Sequence, residues 1–596
     1  MDADALYHLA RTHCEQGRIA DGVDVVRKLI AIDPDQARAH KLLGMALSHL
    51  GRHEDALASL DRAIALAPSA DAHGSRADAL VALGRREEAV ESYDHALALE
   101  PASVADWCNK GAVLLELGRR EEAIASFDRA IALQPEFAEA HYNRGSALAQ
   151  LGRHPDAIAT YDKALALNPR YADALNNKAN SLDHIGQFAE ALAVVEQALA
   201  IDPDHHGALV TRSVILRKLE RYEESLSGCE RALARRPDDI DALVARGDVL
   251  IALERFDEAL QTLDRIIALK PDAVGSKWNK SLLCLGLGRF REGWQLYEHR
   301  WAGAKGLVPR DYRQPRWNGG RVDGALLVWS EQGLGDEILH SSMMPELVER
   351  TGSIVFEVEP RLVTLFARSF PGVKMIPLTP ELYGGRVDVQ EPLGGLGRHF
   401  RTSWEAFPRR ERGYLLADPA RANALRRRLA NDGRVVIGIS WISRAPASGK
   451  SKSARLSDFA PLLRLPGCRF VDLQYGDTQA EREVTKRELG LEVERLPDID
   501  NTNDIDGLAA LMTACDLVVT VSNTTAHLAG AVGRPTWVMV PHGHARMWYW
   551  FKDKPESPWY PRVHVRRQAH GQPWSDVVSA VTAEVSAFID ALPVER

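Results

Sequence analysis

Eight prolines, Pro34, Pro68, Pro101, Pro135, Pro169, Pro203, Pro237 and Pro271, stand 34 residues apart, and once 33. A first half with that period must stack copies of one small unit, each completing its neighbour's core. A second series, Gly51, Gly84, Gly118, Gly152, Gly186 and Gly288, marks a turn inside each copy, with Glu220 and Glu254 taking the same register twice. A third series is small: Ala56, Ala89, Ala123, Ala157, Ala191 and Ala259. The segment EDALASLDRAIAL (54–66) spaces its apolar residues for one buried helical stripe. Each copy therefore reads as helix–turn–helix. The glycine ends the first helix, the alanines let the pair approach closely, and the proline breaks the chain before the next copy. Eight to nine copies fill residues 3–300.

This pattern resembles the tetratricopeptide (TPR) repeat, which implies an all-α superhelix whose groove binds an extended partner. Asn109, Asn143 and Asn177 recur in register on the first helices, and Asn279 takes the same phase three copies later. Such a ladder of amides suits a peptide backbone, and it equally suits a solvated helix face. Arg144, Lys178, Arg212, Arg246 and Lys280 follow those positions, and for these a solvated face is the expectation.

Composition narrows the partners. Apolar residues make up 45% and charged residues 26%, with a net charge of −8, which gives no reason to expect nucleic acid. No cationic start leads into an apolar stretch, and no apolar run approaches the ~18 residues of a membrane span. The six cysteines are scattered without a CxxC pair or a His cluster. They read as small buried residues of a reducing compartment, and neither a disulfide framework nor a metal site is expected. The cytoplasm is the expected location.

The period dissolves after GWQLYEHRW (293–301), and a Gly/Arg/Pro-rich connector occupies 301–324. Strand-like and helix-like runs then alternate: ALLVWS (325–330), SIVFEVE (353–359), RLVTLFARSF (361–370). After ANALRRRLANDG the alternation restarts with RVVIGISW (434–441), CRFVDLQ (468–474), LAALMTACDLVVTVS (508–522) and TAHLAGAVGRPTWVMV (525–540). Alternation of this kind predicts parallel α/β sheets with functional groups at the strand C-termini. One lobe is expected over 325–430 and a second over 431–596, with the tail 575–592 as an amphipathic helix packing back across the first lobe.

The stretches YEHRW, PRWNGG, SEQGLGDEILHSSMMPEL, VSNTTAHLAGAVGRPTWVMVP and SPWYP resemble bacterial TPR-bearing glycosyltransferases of the two-lobed GT-B type. The second half is similar to the heptosyltransferase-like branch, and the order of the two halves is similar to that of the eukaryotic O-GlcNAc transferase. Within the bacterial group the chain resembles enzymes that attach nonulosonic acids, such as pseudaminic acid, to Ser or Thr of flagellin. That resemblance implies a nucleotide-sugar donor, no metal and no further cofactor.

Read physically, Gly333-Leu334-Gly335-Asp336 opens a helix at a strand end, so Gly333 and Gly335 can bring backbone N–H groups to an anion or a sugar hydroxyl. The resemblance gives Asp336 the role of general base toward the acceptor hydroxyl, with His340 one helical turn on. A carboxylate there also satisfies helix-terminal donors. The loop after 441 carries Lys450, Lys452 and Arg455, and a departing nucleotide needs positive charge. The resemblance implies that a lysine of this loop contacts the diphosphate, and the loop offers both. Ser522, Asn523, Thr524, Thr525 and His527 follow a strand and can cradle phosphate. Relatives frequently have Asp-Thr where Ser522-Asn523 stand, and losing that carboxylate would favour a more anionic donor. The aromatic and His cluster VPHGHARMWYWF (540–551) is expected at the cleft rim.

The expected protein is thus an all-α TPR superhelix over 1–300 followed by an α/β GT-B unit. It would transfer a sugar, with a CMP-activated nonulosonic acid the first candidate, to flagellin docked on the repeats. The alternatives are a transferase acting on a glycan or lipid-linked acceptor, and a TPR adaptor without catalysis.

Overall fold

The computed structural model describes residues 2–304, 307–408, 412–444, 449–543, 547–560 and 562–592. The chain divides into two compact units, Met1–Ala245 and Arg246–Arg596.

The first unit holds seven antiparallel helix pairs, from Ala3–Glu15 with Ile19–Ile32 to His206–Lys218 with Tyr222–Arg235, and enters an eighth. In each pair the first helix has 13 residues and the second 14. The turn glycines adopt left-handed backbone, with φ between 74° and 79° from Gly51 through Gly186. Glu220 adopts it too, at φ 60°, a conformation that disfavours a residue with a Cβ by about 1–2 kcal/mol. The alanine series is fully buried wherever it recurs. A glycine on the opposing helix completes the close approach: a Cβ at Gly145 would lie 2.6 Å from the Tyr161 ring. The cation series is engaged inside the array. Arg144 pairs with Asp128 at 2.6 Å, Lys178 with Asp162 at 2.7 Å and Arg212 with Glu196 at 3.4 Å, each reaching the helix before it. Pairs this open to water contribute about 0–1 kcal/mol each, but they leave these cations committed along the array.

The second unit begins inside the eighth pair and contains a ninth, Val274–Gly286 with Phe290–Leu296. Its first sheet comprises β1 (Val322–Trp329), β2 (Thr351–Val358), β3 (Lys374–Pro377) and β4 (Val389–Pro392), all parallel in the order β3-β2-β1-β4. The second comprises β5 (Val435–Ser440), β6 (Cys468–Asp472), β7 (Leu517–Val521), β8 (Thr536–Val540) and β9 (Val563–Arg567), also parallel, in the order β6-β5-β7-β8-β9. Every residue of β5, β7 and β8 is buried, as strands covered on both faces require. The all-α repeat array followed by a parallel α/β region is the expected fold class.

Two packing details shape the site. Trp294 and Tyr297, from the last helix pair and the turn after it, share a core with Val328 of β1 and with Ile338. The Pro419–Leu429 helix docks on the Ile505–Ala514 helix of the second sheet, with Arg426 forking onto Asp516 at 2.9 Å. The tail helix Trp574–Asp590 corrects one expectation. It covers the second sheet, not the first lobe, because Val577, Val578, Val581 and Val585 fit the core beside Trp537 and Met539.

Among the described residues, no helix is long and apolar enough to cross a membrane. The six cysteines are all free thiols, and burial pushes Cys108 up to about 11 and Cys284 and Cys515 up to about 12.

Candidate active site

Asp336 lies in the first turn of the Leu334–Ser341 helix, which springs from the C-terminal end of β1 after Gly333. In the first sheet β1 lies between β2 and β4, the reversal point where parallel sheets open a crevice. Two cavities of the second unit meet at this residue. One, of about 340 Å³, is lined mainly by aromatic and aliphatic side chains, among them Phe256, Trp278, Trp548 and Phe551, with Asp248, Asn279, Gln332 and Lys552 as polar or charged members. The other, of about 370 Å³, gathers more of the hydrogen-bonding and charged residues, and among the described residues it is bordered by Lys452, Arg444, Arg361, Ser522–Thr525 and His527. Asp336 and Met547 border both.

Burial raises the Asp336 carboxyl from 3.8 to about 6, with Lys452 opposing the rise. At neutral pH it is therefore about nine-tenths ionised and still basic enough to take a hydroxyl proton. The neighbouring carboxylate Glu337 faces elsewhere. It is buried, pushed up to about 8 by desolvation, and accepts the Glu359 N–H at 3.0 Å.

The polar cavity gathers the N-termini of two helices, Leu334–Ser341 and Thr524–Ala531, so backbone N–H groups and partial positive charge converge there. Gly335 sets their spacing, since a Cβ there would come within 3.1 Å of His527 Cδ2. Lys452 is 5% exposed, and burial lowers its pKa. The other two cations of its loop are not brought in: Lys450 is exposed, and Arg455 is exposed while pairing with Asp458.

The side chains of 522–527 are largely committed to structure. Ser522 Oγ accepts from Trp550 Nε1 at 2.8 Å. Asn523 caps its helix and donates to Ser440 Oγ at 2.8 Å and the Ile442 carbonyl at 3.0 Å, tying β5 to β7. Thr525 Oγ1 donates to Ser440 Oγ at 3.4 Å, whereas Thr524 borders the cavity and is only partly buried. His527 stacks on Trp550, pairs through Nδ1 with Tyr560 Oη at 3.0 Å, and is held neutral by burial at about 3.

His340 borders neither cavity. One turn along the helix from Asp336 carries it into the core, among the rings of Trp294, Trp548 and Trp559, where burial pulls it down to about 3. Of the amide ladder, Asn143 donates to Cys108 Sγ at 3.7 Å, and Asn177 to Tyr142 Oη at 3.3 Å and Ser146 Oγ at 3.4 Å. Asn109 is exposed and bonds to Tyr93. Asn279 alone of the four borders a cavity that reaches Asp336. Of the rim cluster, Met547, Trp548, Tyr549 and Phe551 border the cavities, while His544, Ala545 and Arg546 lie outside the described residues.

Arg300 and Glu331 carry a role that motif reading did not assign. Arg300 is fully buried between the Tyr297 and Trp301 rings and forks onto Glu331 with two bonds of 2.9 Å. Next to Glu331, Gln332 donates to Tyr297 Oη at 2.8 Å. The last helical segment therefore clamps the loop that presents Gly333 and Asp336. The signal lay in YEHRW and SEQGLGD, two motifs whose pairing across the sequence neither reveals alone. Among the described residues no group of three or more His, Cys, Asp or Glu is placed to hold a metal ion.

The repeat profiles bear on the helical part. Residues 7–71 and 108–172, 148–213 and 216–276, and 70–103 match three tetratricopeptide repeat profiles. Protein FlbA of Caulobacter vibrioides (strain ATCC 19089 / CIP 103742 / CB 15) is 34% identical over 317 residues, 50% of this chain and 52% of that protein. The chain thus spans about half the length of the curated relative it matches. Among solved structures, YrrB, described as a TPR protein with an unusual peptide-binding site, is 26% identical and covers 31% of this chain and 95% of its own, at a TM-score of 0.29. PilF of Pseudomonas aeruginosa is 23% identical, with 35% and 94% covered, at 0.31. The Cut9-Hcn1 hetero-tetramer of APC/C is 17% identical, with 47% and 55% covered, at 0.36. At such TM-scores the likenesses carry no argument for function. The helix pairs within residues 7–276 are tetratricopeptide repeats.

Proposed function

We propose that this chain is a cytoplasmic protein O-glycosyltransferase that moves a sugar from a nucleotide donor to a Ser or Thr hydroxyl of a protein held by its repeats. The observation that carries the reading is the position of Asp336 between a polar cavity with helix N-termini and a buried lysine and an apolar cavity with aromatic walls. The polar side suits a nucleotide diphosphate or monophosphate, and the apolar side suits the acceptor segment. In the transfer, the acceptor oxygen bonds to the anomeric carbon while the bond from that carbon to the phosphate oxygen breaks. The hydroxyl proton goes to Asp336, and the negative charge left on the nucleotide is met by Lys452 and the backbone N–H groups of the two helices.

The resemblance to flagellin-modifying enzymes makes flagellin the first acceptor and a CMP-activated nonulosonic acid the first donor to test. The uncharged Ser522-Asn523 pair supports an anionic sugar, since it adds no carboxylate to that wall. Purified full-length protein incubated with nucleotide sugars and flagellin should release free nucleotide in step with a flagellin mass increase. Nucleotide release that ignores the acceptor, or none from any donor, would sink this reading and favour an adaptor role for the repeats.

A further inference from the structure

On the aromatic side of Asp336 the cavity is walled by partly exposed Trp278, Leu282, Met547 and Trp548, with buried Phe256 and Phe551 behind them. Apolar faces thus stay uncovered beside the carboxylate that takes the acceptor's proton. Met547, Trp548 and Phe551 come from one stretch, and its backbone is held in a rare form. Phe551 has φ 38° and ψ 147°, a conformation disfavoured for any residue with a Cβ. Among the described residues only Glu220 and Glu254 share a positive φ without being glycine, and both take the register of a repeat-turn glycine. Phe551 makes no such turn. Arg567 holds it there, its Nη2 donating to the carbonyls of Trp550 at 2.6 Å, Phe551, and Lys554 at 2.8 Å.

Gly286 borders the same cavity at the end of the Val274–Gly286 helix, and its carbonyl accepts the Lys552 N–H at 3.3 Å. A Cβ there would lie 3.6 Å from Trp548 Cα, an ordinary contact, so close packing does not demand glycine. Its bare backbone leaves the cavity wider at that wall. At about 340 Å³ the cavity exceeds the ~150 Å³ that accommodates a benzene ring, so one aromatic side chain fits.

Resting on the protein-transferase reading, we infer that this cavity is a specificity pocket for a bulky apolar side chain, aromatic or branched aliphatic, standing within two residues of the acceptor Ser or Thr. A hydroxyl at Asp336 fixes the acceptor chain beside the cavity. Neighbouring Cα atoms are about 3.8 Å apart, and in an extended segment residues two apart share a face, so a flanking side chain reaches the walls. A charged flank would give up its hydration against the Trp278 and Trp548 rings. An acidic one would also face Asp336 and Asp248, which border the cavity. A basic one would meet Lys552, whose Nζ already lies 4.7 Å over the Phe256 ring.

Flagellin substitutions assayed with the full-length enzyme test this. The Ser or Thr modified in wild-type flagellin is mapped by mass spectrometry, using the donor that supports transfer to it. Each residue within two positions is then set in turn to Phe, Leu, Gly, Lys and Asp. At one or more positions Phe or Leu should raise kcat/KM about tenfold or more over Gly, with Lys and Asp below Gly. In the enzyme, Trp278→Ala should cut that preference by about tenfold, with a thermal melt confirming the fold. Gly286→Ala adds a single methyl at a helix end, where alanine is the better helix former, and should move the preference from Phe toward Leu. General destabilisation does not produce such a shift. If Trp278→Ala unfolds, Gly286→Ala and the flagellin series decide. Gly, Lys or Asp accepted as well as Phe and Leu at every position overturns the inference and leaves the transferase reading standing. So does a Phe preference that survives unchanged in folded Trp278→Ala protein. Transfer to flagellin from no donor removes both.

Discussion

Asp336→Asn separates what the carboxylate does for chemistry from what it costs the fold. Burial lifts its pKa from 3.8 to about 6. The folded state therefore binds this proton more tightly than the unfolded chain does. The group's contribution to stability is most favourable below about pH 4 and is lost as pH rises through 6. A rise of that size sets a ceiling of ~3 kcal/mol on the cost of the charged form at neutral pH. Asp336 keeps some contact with solvent, so about 1–3 kcal/mol is the expected range. Asparagine has the same shape without the charge. The variant should be more stable than wild type in urea at pH 7.5, and the gap should close toward pH 4. Transfer should fall by ~10²–10⁴-fold, the usual loss when a general base is removed. Wild-type kcat/KM should itself fall on the acid side of about pH 6, where Asp336 takes up its proton. A variant with near-normal transfer and no gain in stability at pH 7.5 would refute both the base and its burial.

The cations around the polar cavity should behave unequally. Lys452→Ala should lower turnover by ~10²–10³-fold, because it removes charge from the site where the leaving group forms, while Lys450→Ala and Arg455→Ala should leave steady-state rates essentially unchanged. Arg300→Leu strands Glu331 without its partner and should cost about 3–5 kcal/mol of stability by chemical denaturation. Arg300→Lys should recover only part of that loss, since an ammonium cannot form the fork.

Much of the architecture was legible because it is written in spacing. The proline, glycine and alanine series are separate traces of one repeating contact, and the buried strands β5, β7 and β8 are mainly apolar runs, with Ser440, Thr520 and Thr536 the hydroxyl-bearing members. The short strands β3, β4 and β9 were not foreseen. β3 and β4 have four residues each and end in proline, and β9 alternates Val with His and Arg at a sheet edge. The sequence period ends near 300, yet packing assigns the last helices to the second unit, where Trp278 walls a cavity and Trp294 enters the β1 core. Periodicity records which residues repeat, not which unit buries them. Asp336, the Lys450–Arg455 loop and the 522–527 turn were readable as candidates from local motif and adjacent charge, whereas the difference between buried Lys452 and exposed Lys450 was not. The Arg300–Glu331 clamp and the committed amide of Asn143 were not, because each depends on a partner far away in sequence.

The central claim is that Asp336 drives sugar transfer to a protein hydroxyl. Intact-mass measurement of flagellin from cells carrying the wild-type chain, a deletion, or Asp336→Asn tests it most directly. The account predicts a discrete sugar mass on Ser or Thr residues in wild type, its loss in the deletion, and its near-complete loss in Asp336→Asn cells that still contain folded protein. Identical flagellin masses in all three strains would contradict it.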